Sequence, residues 1–90
     1  MRITNRSSNT VSVSINVWGS DSDGSTEWFR LAPGESDSWK RTDYRGFVMA
    51  ISIRGQQNSY FIFADSSIDI YDDYVEDDGK KIKPATDRYS

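Results

Sequence analysis

The sequence predicts an all-β fold, a small antiparallel β-sandwich or partly closed barrel of seven or eight short strands. Three observations predict it. Apolar residues recur with period two in short runs. Gly, Pro, Ser, Asn and Asp clusters interrupt those runs at short intervals. No stretch of useful length carries the 3.6-residue period of an amphipathic helix.

The chain is organised around residues 47–64, FVMAISIRGQQNSYFIFA. Met49, Ile51 and Ile53 alternate with Val48, Ala50 and Ser52. Tyr60, Phe61, Ile62 and Phe63 follow a polar break, Gly55-Gln56-Gln57-Asn58, in which Gly55 is free to take positive φ. This reads as a central hairpin. Upstream, residues 2–5 form a short edge strand, and residues 6–10, RSSNT, a polar turn. In residues 11–18, VSVSINVW, Val11, Val13, Ile15 and Val17 share one face while Ser12, Ser14, Asn16 and Trp18 share the other. That is the mark of a strand with one wet side. A polar loop, residues 19–26, leads to a strand over residues 27–31. Ala32-Pro33-Gly34-Glu35 suits a type II turn, with Pro33 at the second position and Gly34 at the third. A strand around Trp39 (residues 36–41) and a turn, residues 42–46, lead into the hairpin. Beyond it, Ile68 and Ile70 alternate in a further strand. Residues 72–79, DDYVEDDG, are acidic, and a last short strand centres on Ile82. The sequence therefore predicts one β domain over residues 1–83 and a flexible tail over 84–90.

Composition narrows the function. The 90 residues carry a net charge of -3, with 36% hydrophobic and 28% charged residues. Three Trp, five Tyr and four Phe are a high aromatic load for a chain this polar, and they argue for a folded domain. Residues 1–64 hold seven basic and six acidic side chains, and residues 65–90 hold four and eight. No basic footprint for a phosphate backbone emerges, so nucleic acid is not an expected partner. There is no cysteine to form a disulfide and no histidine to act as a base near neutral pH. No signal peptide or transmembrane stretch is visible, which leaves the compartment open. One sequon, Asn5-Arg6-Ser7, is of a kind that arises by chance.

Four sets of residues are candidates for chemistry. Trp18, Trp28, Trp39, Tyr44 and Tyr60 are more aromatic surface than so small a core needs. Exposed rings offer flat apolar platforms for sugars, with Asp43 and Arg45 near enough in sequence to bond hydroxyls. The plain alternative is that these rings fill the core. Asp21 and Asp23 open a D-x-D-G stretch like a fragment of a calcium loop, but the full pattern is missing, and a solvated loop is the simpler reading. Asp72, Asp73 and Asp77 belong to the acidic run. Gathered carboxylates call for a cation such as calcium, a basic partner, or plain solvation with the neighbouring lysines. Acid pairs such as Asp37 with Asp43, or Asp65 with Asp69, are too common in acidic proteins to indicate catalysis. No nucleophile motif is present either, so no enzyme is expected.

Ile3-Thr4-Asn5, Val11 to Val17, Trp28, Leu31-Ala32-Pro33-Gly34-Glu35-Ser36 and Trp39 resemble the strand-and-turn style of small fungal β-sandwich proteins. These are the fruit-body lectins and the actinoporin-like and aegerolysin-like groups. The resemblance covers about 40 residues, from Ile3 to Arg41. It implies a compact defence or recognition protein that binds glycans or lipids, and it carries over no site residue. The expected function is a non-catalytic, lectin-like module for glycans or glycoconjugates, with no cofactor beyond a possible calcium. Two alternatives stand beside it. One is a self-associating homo-oligomer or protein-interaction domain. The other is a lipid- or membrane-binding defence protein, which needs Trp18, Trp28, Phe29 or Tyr44 clustered at one end and which the negative charge disfavours.

Overall fold

The computed structural model describes residues 1–17 and 27–85. Every regular element among them is a strand: β1 (Arg2–Asn5), β2 (Val11–Ile15), β3 (Phe29–Leu31), β4 (Ser36–Ser38), β5 (Phe47–Ile53), β6 (Gln56–Ile62), β7 (Ser67–Ile70), β8 (Val75–Asp77) and β9 (Lys80–Ile82). They form a five-stranded sheet, β4-β1-β7-β8-β9, and a four-stranded sheet, β3-β2-β5-β6. The protein is thus all-β, with two sheets packed together and no closure into a barrel among the described residues.

The sequence reading needs several corrections. The described residues hold nine strands rather than seven or eight. The added one is β8, inside the acidic run. There Val75 is buried, while Glu76 and Asp77 keep partial exposure, so charge hides the strand from a reading by hydrophobicity. The sandwich is also not purely antiparallel. β1 pairs parallel with β7 through Ile3↔Ile68 and Asn5↔Ile70, and antiparallel with β4 on its other side. Period-two alternation is the same in either direction, so the pattern cannot tell them apart. Finally, the break in the central hairpin is shorter than expected. The β5–β6 register runs from Phe47↔Ile62 to Ile53↔Gln56, and the turn is Arg54-Gly55 alone. Arg54 has φ 50° and Gly55 φ 77°. Positive φ at both central residues is the type I′ signature, whose twist matches that of the flanking strands. Gln56, Gln57 and Asn58 are therefore strand residues.

Strand β1, expected at an edge, is interior, flanked by β4 and β7, whereas the turn over residues 32–35 and the core alternation are as expected. Gly34 has φ 86°, and the Glu35 N–H donates to the Ala32 carbonyl at 2.9 Å, closing the expected turn. That turn hands the chain from β3 in one sheet to β4 in the other. The core comes from the predicted alternation. Val11, Val13 and Ile15 of β2, Met49 and Ile51 of β5, Ile62 of β6, and Ile3, Ile68 and Ile70 of the facing sheet are all buried. Each such side chain contributes about 1.5–3 kcal/mol by leaving water.

One buried polar group ties the two sheets together. Asn5 is 0% exposed. Its amide nitrogen donates to the Leu31 and Asn9 carbonyls, both at 2.8 Å. Its amide oxygen accepts from the Ser7 N–H at 2.9 Å and the Ser7 hydroxyl at 2.6 Å. The sequon thus reads as a structural turn. An asparagine enclosed in this way is not offered for glycosylation by the folded chain.

Candidate functional site

A cleft of about 170 Å³ lies between the β5–β6 hairpin of one sheet and the β7–β8 turn of the other. Its apolar lining is Ile51, Ile53, Ile70 and Val75, core residues that continue to its wall. Alternation along β6 puts Gln56, Asn58 and Tyr60 on the lining side, because Tyr60 and Ile62 face the core. The facing wall is the turn that joins β7 to β8, Tyr71-Asp72-Asp73-Tyr74, and Arg54 stands at the hairpin tip. Aromatic rings, amides, carboxylates and one guanidinium thus surround a small apolar patch, and the lining is polar on balance.

Most of these groups are fixed before any ligand arrives. Tyr71 and Tyr74 stack with centroids 4.7 Å apart and planes 15° apart, and the Lys81 ammonium lies 5.5 Å from the Tyr74 centroid. The Tyr71 N–H donates to the Tyr74 carbonyl at 2.9 Å, closing the turn. Asp72 Oδ1 collects three donors from the β1–β2 turn: the Ser8 N–H at 3.0 Å, the Ser8 hydroxyl at 2.9 Å and the Asn9 amide at 3.2 Å. These bonds, the Ser8 backbone N–H first among them, hold the Asp72 carboxyl below its ordinary pKa. The Arg54 guanidinium donates to the Asp72 carbonyl at 3.4 Å and lies 4.0 Å from the Asp73 carboxylate. Desolvation raises the Tyr60 and Tyr71 phenols above their usual pKa.

The residues singled out from sequence fall in different places. Tyr60, Asp72 and Asp73 meet in the cleft. Trp39 does not serve as a platform. It is buried, edge-on to Phe29 with ring centroids 5.7 Å apart, so it fills the core and Phe29 is drawn in with it. Tyr44 is 90% exposed, but Asp43 and Arg45 beside it bond each other in a bidentate pair at 2.8 and 2.6 Å. They precede Phe47, at the opposite end of β5 from Arg54, roughly 20 Å away for a strand of this length. Trp28 is 47% exposed beside β3, at the far edge of its sheet from β6. Trp18, Asp21 and Asp23 lie outside the described residues.

The acidic run does not gather as a calcium site would require. Asp77 accepts from the Ser66 hydroxyl at 2.8 Å, while Asp72 faces the β1–β2 turn. Among the described residues no group of three or more Asp, Glu, His or Cys side chains is placed to hold a metal ion.

Gln56, Asn58, Tyr71 and Tyr74 are not among the sequence candidates. The tyrosines flank a carboxylate pair and read as the edges of a solvated stretch. The amides read as turn residues because the hairpin turn was placed too late. The signal that could have found them is Asp78-Gly79, a two-residue hairpin turn with φ 51° and 82°. It pairs β8 with β9, which marks Val75–Asp77 as a strand, and the pairing of that strand with β7 through Ile70↔Val75 closes the turn at residues 71–74. Comparison with protein families, with curated proteins and with solved structures finds no match to this chain.

Proposed function

We propose that this protein is a non-catalytic binding module and that the cleft beside Arg54 takes part of a glycan. The observation that carries the reading is the lining itself. Tyrosine rings and isoleucines provide apolar area for the C–H faces of a sugar. Asp72, Asn58, Gln56 and Arg54 provide acceptors and donors for its hydroxyls. The volume is below the roughly 300–1,000 Å³ of sites that enclose a drug-sized ligand, which suits one ring better than a chain. The strand-and-turn style, which resembles that of small fungal β-sandwich proteins such as the fruit-body lectins, points the same way. A glycan array probed with and without calcium tests this. Binding that survives a chelator and is lost in Tyr74→Ala supports it. An array without hits, or hits untouched by Tyr74→Ala in a folded variant, contradicts it.

A second reading, self-association, is favoured by one separate feature. Val48 and Phe61 are register partners on the outer face of the β5–β6 hairpin, and Phe63 meets Phe61 edge-on at 5.2 Å. All three are about half exposed. Light scattering of the wild type and Phe63→Ser separates the two readings. A wild type that is dimeric, with a monomeric variant that keeps its glycan hits, assigns this patch to association and leaves the cleft to the ligand.

A further inference from the structure

Arg54 occupies a position whose backbone does not suit arginine. At φ 50° it sits in the left-handed region, followed by Gly55 at φ 77°. Asn-Gly is the pair that a type I′ turn favours, and a long side chain at the first position is held there at a cost in strain. The turn also tips the hairpin at the mouth of the cleft, so the arginine that carries the strain is a lining residue. Its guanidinium lies alongside Asp72, 3.4 Å from that residue's carbonyl. Asp72 uses Oδ1 for all three of its bonds to the β1–β2 turn, and among the described residues Oδ2 accepts none. The cleft therefore sets an anchored, acceptor-only carboxylate next to a donor-only guanidinium. The group that satisfies both at once has a donor and an acceptor on adjacent atoms, which is what a pair of neighbouring hydroxyls offers.

Resting on the glycan reading above, we infer that Arg54 and Asp72 together recognise a vicinal diol on a single uncharged sugar ring. One hydroxyl donates to Asp72 Oδ2, and its neighbour accepts from the Arg54 guanidinium. Both bonds are charge-assisted, and losing a partner leaves a charged group facing the ligand unmatched. A sugar acid fits less well. Asp72 and Asp73 place two carboxylates against one guanidinium at the mouth, so a third negative charge meets net repulsion.

The test titrates methyl glucoside, galactoside and mannoside, and the 3-deoxy form of each, into ¹⁵N-labelled protein while amide shifts are followed. Removing the 3-hydroxyl leaves no two adjacent free hydroxyls on these rings. At least one parent glycoside should shift the amides of residues 54–58 and 71–75. Its 3-deoxy form should bind about tenfold more weakly or worse. Arg54→Asn should lose a similar factor and yet melt at a higher temperature, since Asn-Gly relieves the turn. That split separates recognition from a structural role, which would lower binding and stability together. Asp72→Asn should also weaken binding, and Arg54→Asn decides the matter if Asp72→Asn is poorly folded. A 3-deoxy glycoside that binds as well as its parent, or an Arg54→Asn variant that binds as well as wild type, overturns the diol inference and leaves the glycan reading standing. No shift at residues 54–58 and 71–75 with any glycoside, together with an empty array, overturns both.

Discussion

Two carboxylates of the acidic run are poised in opposite directions. Asp72 is held below the ordinary value of 3.8 by bonds from Ser8 and Asn9. Its contribution to stability is present above pH 3.8 and is lost as the pH falls through the lower folded value. Asp77 is raised above 3.8, first by desolvation, with Asp78 and Asp65 adding repulsion, and its Oδ1 is buried with no hydrogen-bond partner among the described residues. Its ionisation opposes folding at neutral pH. That opposition fades as the pH falls through its folded value and is gone below 3.8. Asp77→Asn should therefore raise the melting temperature at pH 7, with the difference shrinking toward zero near pH 3.8. A lower melting temperature at pH 7 would mean that Oδ1 has a partner after all. Gly46 makes a sharper demand. It has φ 90°, and a Cβ there would meet the Phe61 ring. Gly46→Ala should cost about 1–3 kcal/mol in a denaturant titration, from backbone strain and displacement of that ring. At this scale the sequence was partly legible. Surplus tryptophan predicted an exposed ring, and Trp28 is one. Trp39, expected as a possible platform, packs on Phe29 instead, because polar neighbours on a short strand say little about where a large ring goes.

Strands were more legible than turns. Residues 11–15 and 47–53 were readable because one face of each is apolar and buried. Strand β8 was not, because Glu76 and Asp77 mask a buried Val75. The polar start of β6 looked like loop because its side chains line a cleft rather than a core. Asn5 shows the same limit, since a buried asparagine at the end of a strand has no hydrophobic signature. Asn5→Ala should cost about 2–4 kcal/mol by calorimetry or denaturant, because it strands the Leu31 carbonyl and the Ser7 N–H in the interior. A loss below about 0.5 kcal/mol would show that water replaces those bonds.

Pairing across the whole chain was the least legible. The parallel contact of β1 with β7 joins residues 2–5 to residues 67–70, and nothing local marks that partnership. It matters for the site. The β1–β2 turn reaches Asp72 because β1 lies against β7, and the β5–β6 hairpin faces the β7–β8 turn from the other sheet. The cleft is therefore a product of both sheets, and three segments distant in sequence build it. Its lining resists sequence reading for that reason, although Tyr60 belongs to the aromatic set and Asp72 and Asp73 to the acidic run that the sequence marks. The most direct measurement is an amide-shift map of labelled protein titrated with the best-binding glycan of the array. The account predicts saturable shifts confined to residues 8–9, 54–60 and 71–75. Shifts centred on Trp28, on Tyr44 or on the Val48–Phe61–Phe63 patch, with the cleft unmoved, would contradict it.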